Sequence, residues 1–449
     1  MRRTLPAILI FAAAAAAEPV SFSKQILPVL LKQCAGCHQH PNVQSGLTVT
    51  SYEALSKGGI KGPGFLAGKP GDSSVVRYLT GEAKPRMPLG GKPVPDEQIA
   101  LFRAWIQEGA KDDSQGAVSG TGSLSAVPDK PISYKAAPLV TAIAFDPSGS
   151  TMAVSGYHEI LLTSPEGKLL GRLPGRSMRI HGLAFTPDGK TLVAAGGDPA
   201  RGGEVQIWDV AARKQRASIA NGPDTFFGGA LSPDGKLVAA GGGSDKSVRL
   251  IDVESGKEIR RLDHHEDWVF QTAFGVDGKR LVTVGRDRAA KLSDVATGRF
   301  IENVNLLREA LTAVVRHPKR DWVLVGGSER IPYLYRMDRP RAMRIADDST
   351  LIRKFERQDG PITALAFSAD GARIAAAAEV GDVRIYNAET GDLVARCSGH
   401  QGGIYALRFT PDGAHLVTGG FDGKLRFHDM TGKIAREFVA APVELSRGN

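Results

Sequence analysis

The densest chemistry in the chain lies in five consecutive residues, Cys34-Ala35-Gly36-Cys37-His38. Two thiols spaced like this on one helical turn can form thioethers with the two vinyl groups of one haem. The adjacent imidazole can then take the iron as its proximal ligand. Residues 18–113 contain a single methionine, Met87, in PRMPLGGKPV. A Met-Pro step in a glycine-rich loop suits an axial thioether on the far haem face, and loop packing is its other reading. His40 stands two residues past His38 and is poorly placed to reach the opposite face. Two rival readings of the thiols are weaker. A redox disulfide prefers a βαβ setting, which is absent, and a zinc site needs further ligands beyond His38 and His40.

The elements that would position this motif can be read on either side of it. SFSKQILPVLLKQCAGCH has a helical stripe of Ile26, Leu27, Leu30, Leu31 and Cys34, with Ser23 as the expected N-cap. PDEQIALFRAWIQEGA opens on Pro95, carries Asp96 and Glu97 at its positive end, and closes on Gly109. Ile99, Phe102 and Ile106 form its apolar face, with Trp105 beside it. Two terminal helices packed around a haem are the expectation for residues 18–113.

These quoted segments, with GGIKGPGFLAGKPGDS at 58–73, Met87-Pro88 and AWIQEGA, resemble the planctomycete-type cytochrome c domain. The resemblance implies one covalent haem c, attached at Cys34 and Cys37. It makes His38 the proximal and Met87 the distal ligand, so both would bind the metal.

MRRTLPAILIFAAAAAAEP, with two arginines before an apolar run and small residues, reads as a signal peptide over residues 1–17. It predicts export to a periplasmic or cell-envelope location. Its apolar run is too short to span a bilayer, and no later segment is long and apolar enough. Residues 114–130, SQGAVSGTGSLSAVPDK, read as a flexible linker.

Residues 131–449 repeat. The turns DPSG, TPDG, SPDG, GVDG, HPKR, SADG and TPDG end at Gly149, Gly189, Gly235, Gly278, Arg320, Gly371 and Gly413, in steps of 40, 46, 43, 42, 51 and 42 residues. Strand, turn, strand at that period predicts a seven-bladed β-propeller. The chain's 53 glycines fit a protein of many tight turns. The long steps read as insertions at 198–203 and about 336–353.

The repeats resemble the WD40 family. Trp208-Asp209 stands at the family dipeptide, while Ile251, Ser293, Tyr386 and His428 replace the tryptophan in other blades. The family's structural His–Thr–Asp set is matched by His265, Thr283 and Asp287, and by His400, Thr418 and Asp422. Both sets are expected to hold the fold.

The net charge of +9, from 57 Lys and Arg against 48 Asp and Glu, is spread thinly and gives no nucleic-acid footprint. Three cysteines exclude a disulfide scaffold. Cys397 reads as a buried small hydrophobe. His158, His181, His264, His317, His415 and His428 are scattered over the blades without a metal-binding spacing. One loop face is expected to carry Asp198, Arg201, Trp268, Arg286, Arg330 and Phe421, residue types suited to protein docking.

The fold class expected is therefore multidomain, a small all-α c-type cytochrome domain followed by an all-β seven-bladed WD40-like propeller. The expected function is an exported electron carrier with no catalytic residues, whose propeller docks a redox partner protein. The rival expectation is a periplasmic oxidoreductase with a catalytic or second-cofactor site in the propeller and the cytochrome as electron relay. A haem-based sensor controlling the propeller is a third.

Overall fold

The structure is a computed structural model that describes residues 19–35, 37–39, 42–113, 124–306, 308–337 and 348–444. The expected signal segment 1–17, His40 and most of the second expected insertion lie outside the described residues. The chain divides into two compact units, Met1–Ser119 and Gly120–Asn449.

In the first unit, Phe22–Ile26 forms a π-helical turn that runs into an α-helix at Leu27–Gln33. Ser21 caps it, its hydroxyl accepting from the Lys24 N–H at 3.0 Å, where the sequence pointed to Ser23. Ser23 instead gives its backbone N–H to Asp113, at 2.8 Å. Short helices follow at Tyr52–Lys57 and Ser74–Thr80, and the longest is Asp96–Gln107. Phe22, Tyr52, Phe65 and Trp105 meet in one aromatic cluster, with Phe22 5.2 Å and Phe65 4.8 Å from Trp105. The two terminal helices do pack together, because their apolar stripes share this core. The unit departs from an all-α plan: His38–Gln39 pairs with Asn42–Val43 as a short antiparallel ribbon directly after Cys37.

The second unit is all-β: seven antiparallel sheets of four strands, each continuous in sequence. The innermost strands are Ile143–Phe145, Arg179–Phe185, Phe226–Leu231, Val269–Phe274, Leu311–Arg316, Ile362–Phe367 and Ile404–Phe409. They pack on one another around a central channel. Second strands are covered on both faces by adjacent blades, so they read as continuous apolar runs; all eight residues of Thr191–Asp198 are buried. This strand and Gly202–Asp209 form the elongated hairpin that accounts for the first insertion.

The repeated turns explain the period. Gly149, Gly189, Gly235, Gly278, Gly371 and Gly413 all have φ between 70° and 81°, the left-handed region where a side chain is strained. The serine or threonine that opens the turn donates to its aspartate: Thr186 to Asp188 at 2.6 Å, Ser232 to Asp234 at 2.6 Å, Thr410 to Asp412 at 2.5 Å. The fifth turn has Arg320 and no glycine. There the His317 ring substitutes, its Nδ1 accepting the N–H groups of Lys319 and Arg320, both at 3.0 Å.

Ring closure uses both ends of the unit. Ile434–Val439 completes blade seven as its outer strand. The segment before blade one then crosses the seam: Tyr134 bridges Val443, Val140 N–H donates to Gly420, and the Glu444 N–H donates to the Tyr134 carbonyl. The Tyr134 hydroxyl donates to Glu159 at 2.7 Å, and Arg172 holds the same carboxylate at 2.6 Å. Replacing Tyr134 by Phe removes a buried, charge-assisted hydrogen bond worth about 2 kcal/mol. The expected outcome in chemical denaturation is a lower unfolding midpoint for the propeller with unchanged far-UV circular dichroism.

Candidate protein-docking face and the Cys34–His38 segment

The loops that enter the innermost strands share one face with the turns joining second and third strands. On that face, blades two, three and four bring four rings together. Phe227 stacks on Trp268 with centroids 5.3 Å apart, and lies 5.5 Å from Phe270 and 5.9 Å from His181. The Arg286 guanidinium sits 5.6 Å from the Trp268 ring and 3.8 Å from Asp267. All four rings are half-buried. Burial, then the Arg179 charge, pushes the His181 imidazole down to about 4, so it is neutral and adds to the apolar surface.

Trp268 and Arg286 thus fall where the sequence placed them. Phe227 and Phe270 were missed, because they belong to strands and not loops, and His181 was read only as one of the scattered propeller histidines. The available signal was an aromatic at the start of two neighbouring innermost strands, FFGGAL and WVFQTAF. Asp198 is not a surface group: it is 2% exposed and accepts from Ser125 and from the Met178 N–H. That contact fixes residues 124–125 to blade two, although the sequence assigned them to a flexible linker. Arg201 is exposed, and Arg330 reaches the Asp359 carbonyl. Phe421, 65% exposed, stands apart in blade seven.

The two His–Thr–Asp sets are assembled as expected. His265 Nδ1 lies 3.0 Å from Asp287 and its Nε2 lies 2.7 Å from Thr283 Oγ1. His400 makes the same pair of contacts with Asp422 and Thr418, at 2.9 and 2.7 Å. Burial works against charge on Asp287, but the hydrogen bond and charge of His265 outweigh it and hold the carboxyl well below the usual range. In blades three and six a buried arginine does the same work, and in blade seven one adds to the His400 set. Arg249 joins Asp245 and Glu258, Arg384 joins Asp382, Asp359 and Glu356, and Arg426 joins Asp422 and Glu437. These are structural charges on strand three, signalled by Asp and Arg four apart in two of the blades.

The remaining titratable groups are also structural. Cys397 is fully buried, and burial pushes its thiol up to about 12. His158 bonds the Arg176 carbonyl and His264 the Gly298 carbonyl. His415 sits edge-on to Phe427, at 6.2 Å.

In the first unit, the Cys34 N–H closes the preceding helix on Leu30, and the His38 N–H donates to the Cys34 carbonyl at 3.1 Å. Cys34 is half-buried, its thiol pushed up to about 11 by burial, and Cys37 is exposed. Neither forms a disulfide. His38 Nδ1 lies 3.1 Å from the Gln44 carbonyl, which can only accept. The proton therefore sits on Nδ1 and leaves the Nε2 lone pair available, the arrangement of a ligating histidine. Met87 packs half-buried on the core that also receives Cys34. Ile60, beside the Ser45–Gly46 turn, is 79% exposed, and Leu89, two residues past Met87, is 71% exposed. The donor set and the uncovered apolar side chains fit a covalent haem.

Comparison with known proteins places the similarity in the propeller. The WD domain, G-beta repeat model matches residues 167–209, 228–252, 256–294 and 391–429. The anaphase-promoting complex subunit 4 WD40 domain model matches residues 317–409. Curated relatives include Protein tipD of Dictyostelium discoideum, 27% identical over 35% of this chain and 23% of the relative. Protein hir1 of Emericella nidulans is 26% identical over 45% of the chain and 23% of the relative. WD repeat and SOCS box-containing protein 1 of Danio rerio is 31% identical over 26% of each. The chain thus spans about a quarter of these relatives.

These findings correct the expected function. Both models and WD repeat and SOCS box-containing protein 1 match this chain through WD repeats, and these matches replace the reading of the chain as an exported electron carrier. Among the described residues no three His, Cys, Asp or Glu side chains converge as a metal site. No described helix is long and apolar enough to cross a membrane.

The pH response of the fold follows from blade seven. His428, 1% exposed at the family tryptophan position, lies 3.3 Å from Thr418 Oγ1, and burial pushes its imidazole down to about 4. The unfolded chain takes up this proton near its ordinary value of about 6.5 and the folded chain resists it, so stability falls as pH drops through that window. Between pH 7 and 5, His428→Phe should lose about 1–2 kcal/mol less than the parent in urea melts. The chain carries WD40 repeats folded as a seven-bladed β-propeller.

Proposed function

We propose that this protein is an interaction scaffold whose propeller docks a protein partner on the Phe227–Trp268–Phe270 face. The observation that carries this is the convergence of four half-buried rings from three consecutive blades, with Arg286 against Trp268. Tryptophan, tyrosine and arginine dominate binding energy at protein interfaces because they bury much area at little entropic cost. The WD-repeat relatives are consistent with such a role. The test is affinity capture with quantitative mass spectrometry, followed by titration of each captured partner. Trp268→Ala and Phe227→Ala should each weaken the bound partner by about ten-fold or more. Arg320→Ala, on the opposite face, should leave it unchanged. Equal loss from all three variants would sink the assignment.

A second reading concerns the first unit, and the anchored His38 ring favours it. One haem c would be held by Cys34 and Cys37 as thioethers, with His38 and Met87 as the side chains that would bind its iron. Bound there, it would supply a redox-active iron. The chain's own part is to fix the His38 tautomer through Gln44 and to offer Ile60 and Leu89 as apolar cover. Residues 1–17 suit export, so the proposed location is the periplasm or cell envelope, where covalent attachment of haem takes place. Intact mass and visible spectra of protein from a host with haem-attachment machinery test this. The expected result is a mass increase of one haem, abolished by the Cys34→Ala, Cys37→Ala double variant. A colourless chain of unmodified mass would overturn it.

A further inference from the structure

At the end of the channel away from Trp268 lies a chamber of about 470 Å³. It is walled by the last residues of the innermost strands and the turns that follow them, among them Phe145, Phe185, Pro187 and Phe367. Two cations enter this apolar wall, Arg316 and Arg408, and no aspartate or glutamate lines it.

The repeat shows how unusual these two arginines are. The innermost strands end in Phe145, Phe185, Leu231, Phe274, Arg316, Phe367 and Phe409, so Arg316 stands where every other blade has an apolar residue. One position earlier come Ala144, Ala184, Ala230, Ala273, Val315, Ala366 and Arg408. Each arginine is the single polar departure in its register.

Among the described residues neither forms an ion pair, although the Asp321 charge favours the charged form of Arg316. Arg316 Nη1 bonds only the His317 and Pro318 carbonyls, at 3.3 and 3.1 Å. The nearby Asp321 is committed to Arg280, at 2.8 Å. Arg408 Nη1 bonds the Leu407 carbonyl at 2.8 Å. Burial works against the charge of both guanidinium groups. Elsewhere in this propeller the arginines that are almost fully buried, Arg249, Arg384 and Arg426, each have two or more carboxylates, while half-buried Arg176, Arg260 and Arg353 bond backbone carbonyls. An unpaired, partly desolvated guanidinium is costly, and a bidentate carboxylate relieves that cost.

We propose that this chamber is a binding site for a small organic carboxylate, its anionic group on Arg316 and Arg408 and its apolar body against Phe145, Phe185 and Phe367. The volume is that of a small-molecule site, and the combination of apolar walls with a few polar groups is the usual composition of one. The site is separate from the aromatic docking face and does not rest on it.

Isothermal titration of the full chain with phenylacetate, with glutarate and with uncharged phenylacetamide tests the proposal. Saturable binding of at least one carboxylate is expected, with phenylacetamide at least ten-fold weaker. Arg316→Gln and Arg408→Gln should each weaken the carboxylate ten-fold or more, while Arg320→Gln, an exposed residue paired with Glu389, should not. Near-UV circular dichroism controls for folding, and the acid-to-amide comparison stands on the parent protein if a variant misfolds. No saturable binding of either carboxylate at 10 mM or below, equal binding of the amide, or equal loss in Arg320→Gln overturns the proposal. A peptide with a single aspartate that binds at least ten-fold tighter than both small carboxylates also overturns it, since the site would then belong to a protein partner.

Discussion

A four-stranded sheet with two apolar faces cannot exist alone in water, and each blade of this propeller can bury its faces only against two neighbours. The ring must therefore close, or two sheets are left bare. In many repeat arrays the ends are capped by polar units. Here the end blades are each other's cap, and the seam between them carries the buried Tyr134–Glu159–Arg172 set. The segment that supplies Tyr134 adds no fifth strand to a blade. It bridges the first and last blades through Val443 and Gly420. The closure is thus a polar latch laid over an apolar contact in which Ile143, Val154, Val417 and Phe427 pack together.

Seven copies of one supersecondary unit would give a symmetric object with two featureless faces. What differentiates the faces is the residue that departs from the repeat. In blade two Trp208 donates to Gln206 at 2.9 Å, and Glu204 below it gathers Ser177 and Gln206. Blades four and seven use histidine and aspartate, and blades three and six use arginine. In blades three, four, six and seven these groups brace the tight turn between strands two and three, while in blade two, with its elongated hairpin, they brace strand three. Buried charges of this kind fix geometry more than they add stability, because their desolvation offsets most of their attraction.

The period, the blade number and the turn types were legible because a left-handed turn demands glycine and glycine recurs every forty-odd residues. The fifth turn, without glycine, was still legible by spacing, but the cap supplied by the His317 ring was not, since nothing local marks a ring nitrogen as an acceptor. The His–Thr–Asp sets were legible because hydrogen-bonding partners there recur at fixed offsets. The aromatic cluster was legible only in part. Trp268 and Arg286 lie in loops, where exposed residues draw notice, but Phe227 and Phe270 alternate with core residues on a strand. Which face such a residue takes depends on register and on a bulge: the pairing shifts between Phe226 and Gly228. Ser21 in place of Ser23 as the helix cap is the same kind of miss, a two-residue displacement caused by the π-helical first turn. The CxxCH motif was equally plain, but a motif announces a ligand set and leaves the role of the whole chain open.

The unit repeat also supplies a reference state that a single fold rarely offers. At any position the other six blades state what the fold itself requires. Small or apolar residues at the penultimate position of the innermost strand suit the close approach of neighbouring strands, and phenylalanine recurs at the last position because it packs on the core between blades. A residue that obeys the repeat is accounted for by folding. One that breaks it, and is neither paired nor exposed, needs another cause. Arg316 and Arg408 meet that description, while the equally conspicuous Arg249, Arg384 and Arg426 do not, because their carboxylate partners sit within the same blade or its seam. The distinction rests on where each guanidinium finds its counter-charge: among the described residues the two in the channel mouth form no ion pair, and the one carboxylate that acts on Arg316, Asp321, is bonded to Arg280.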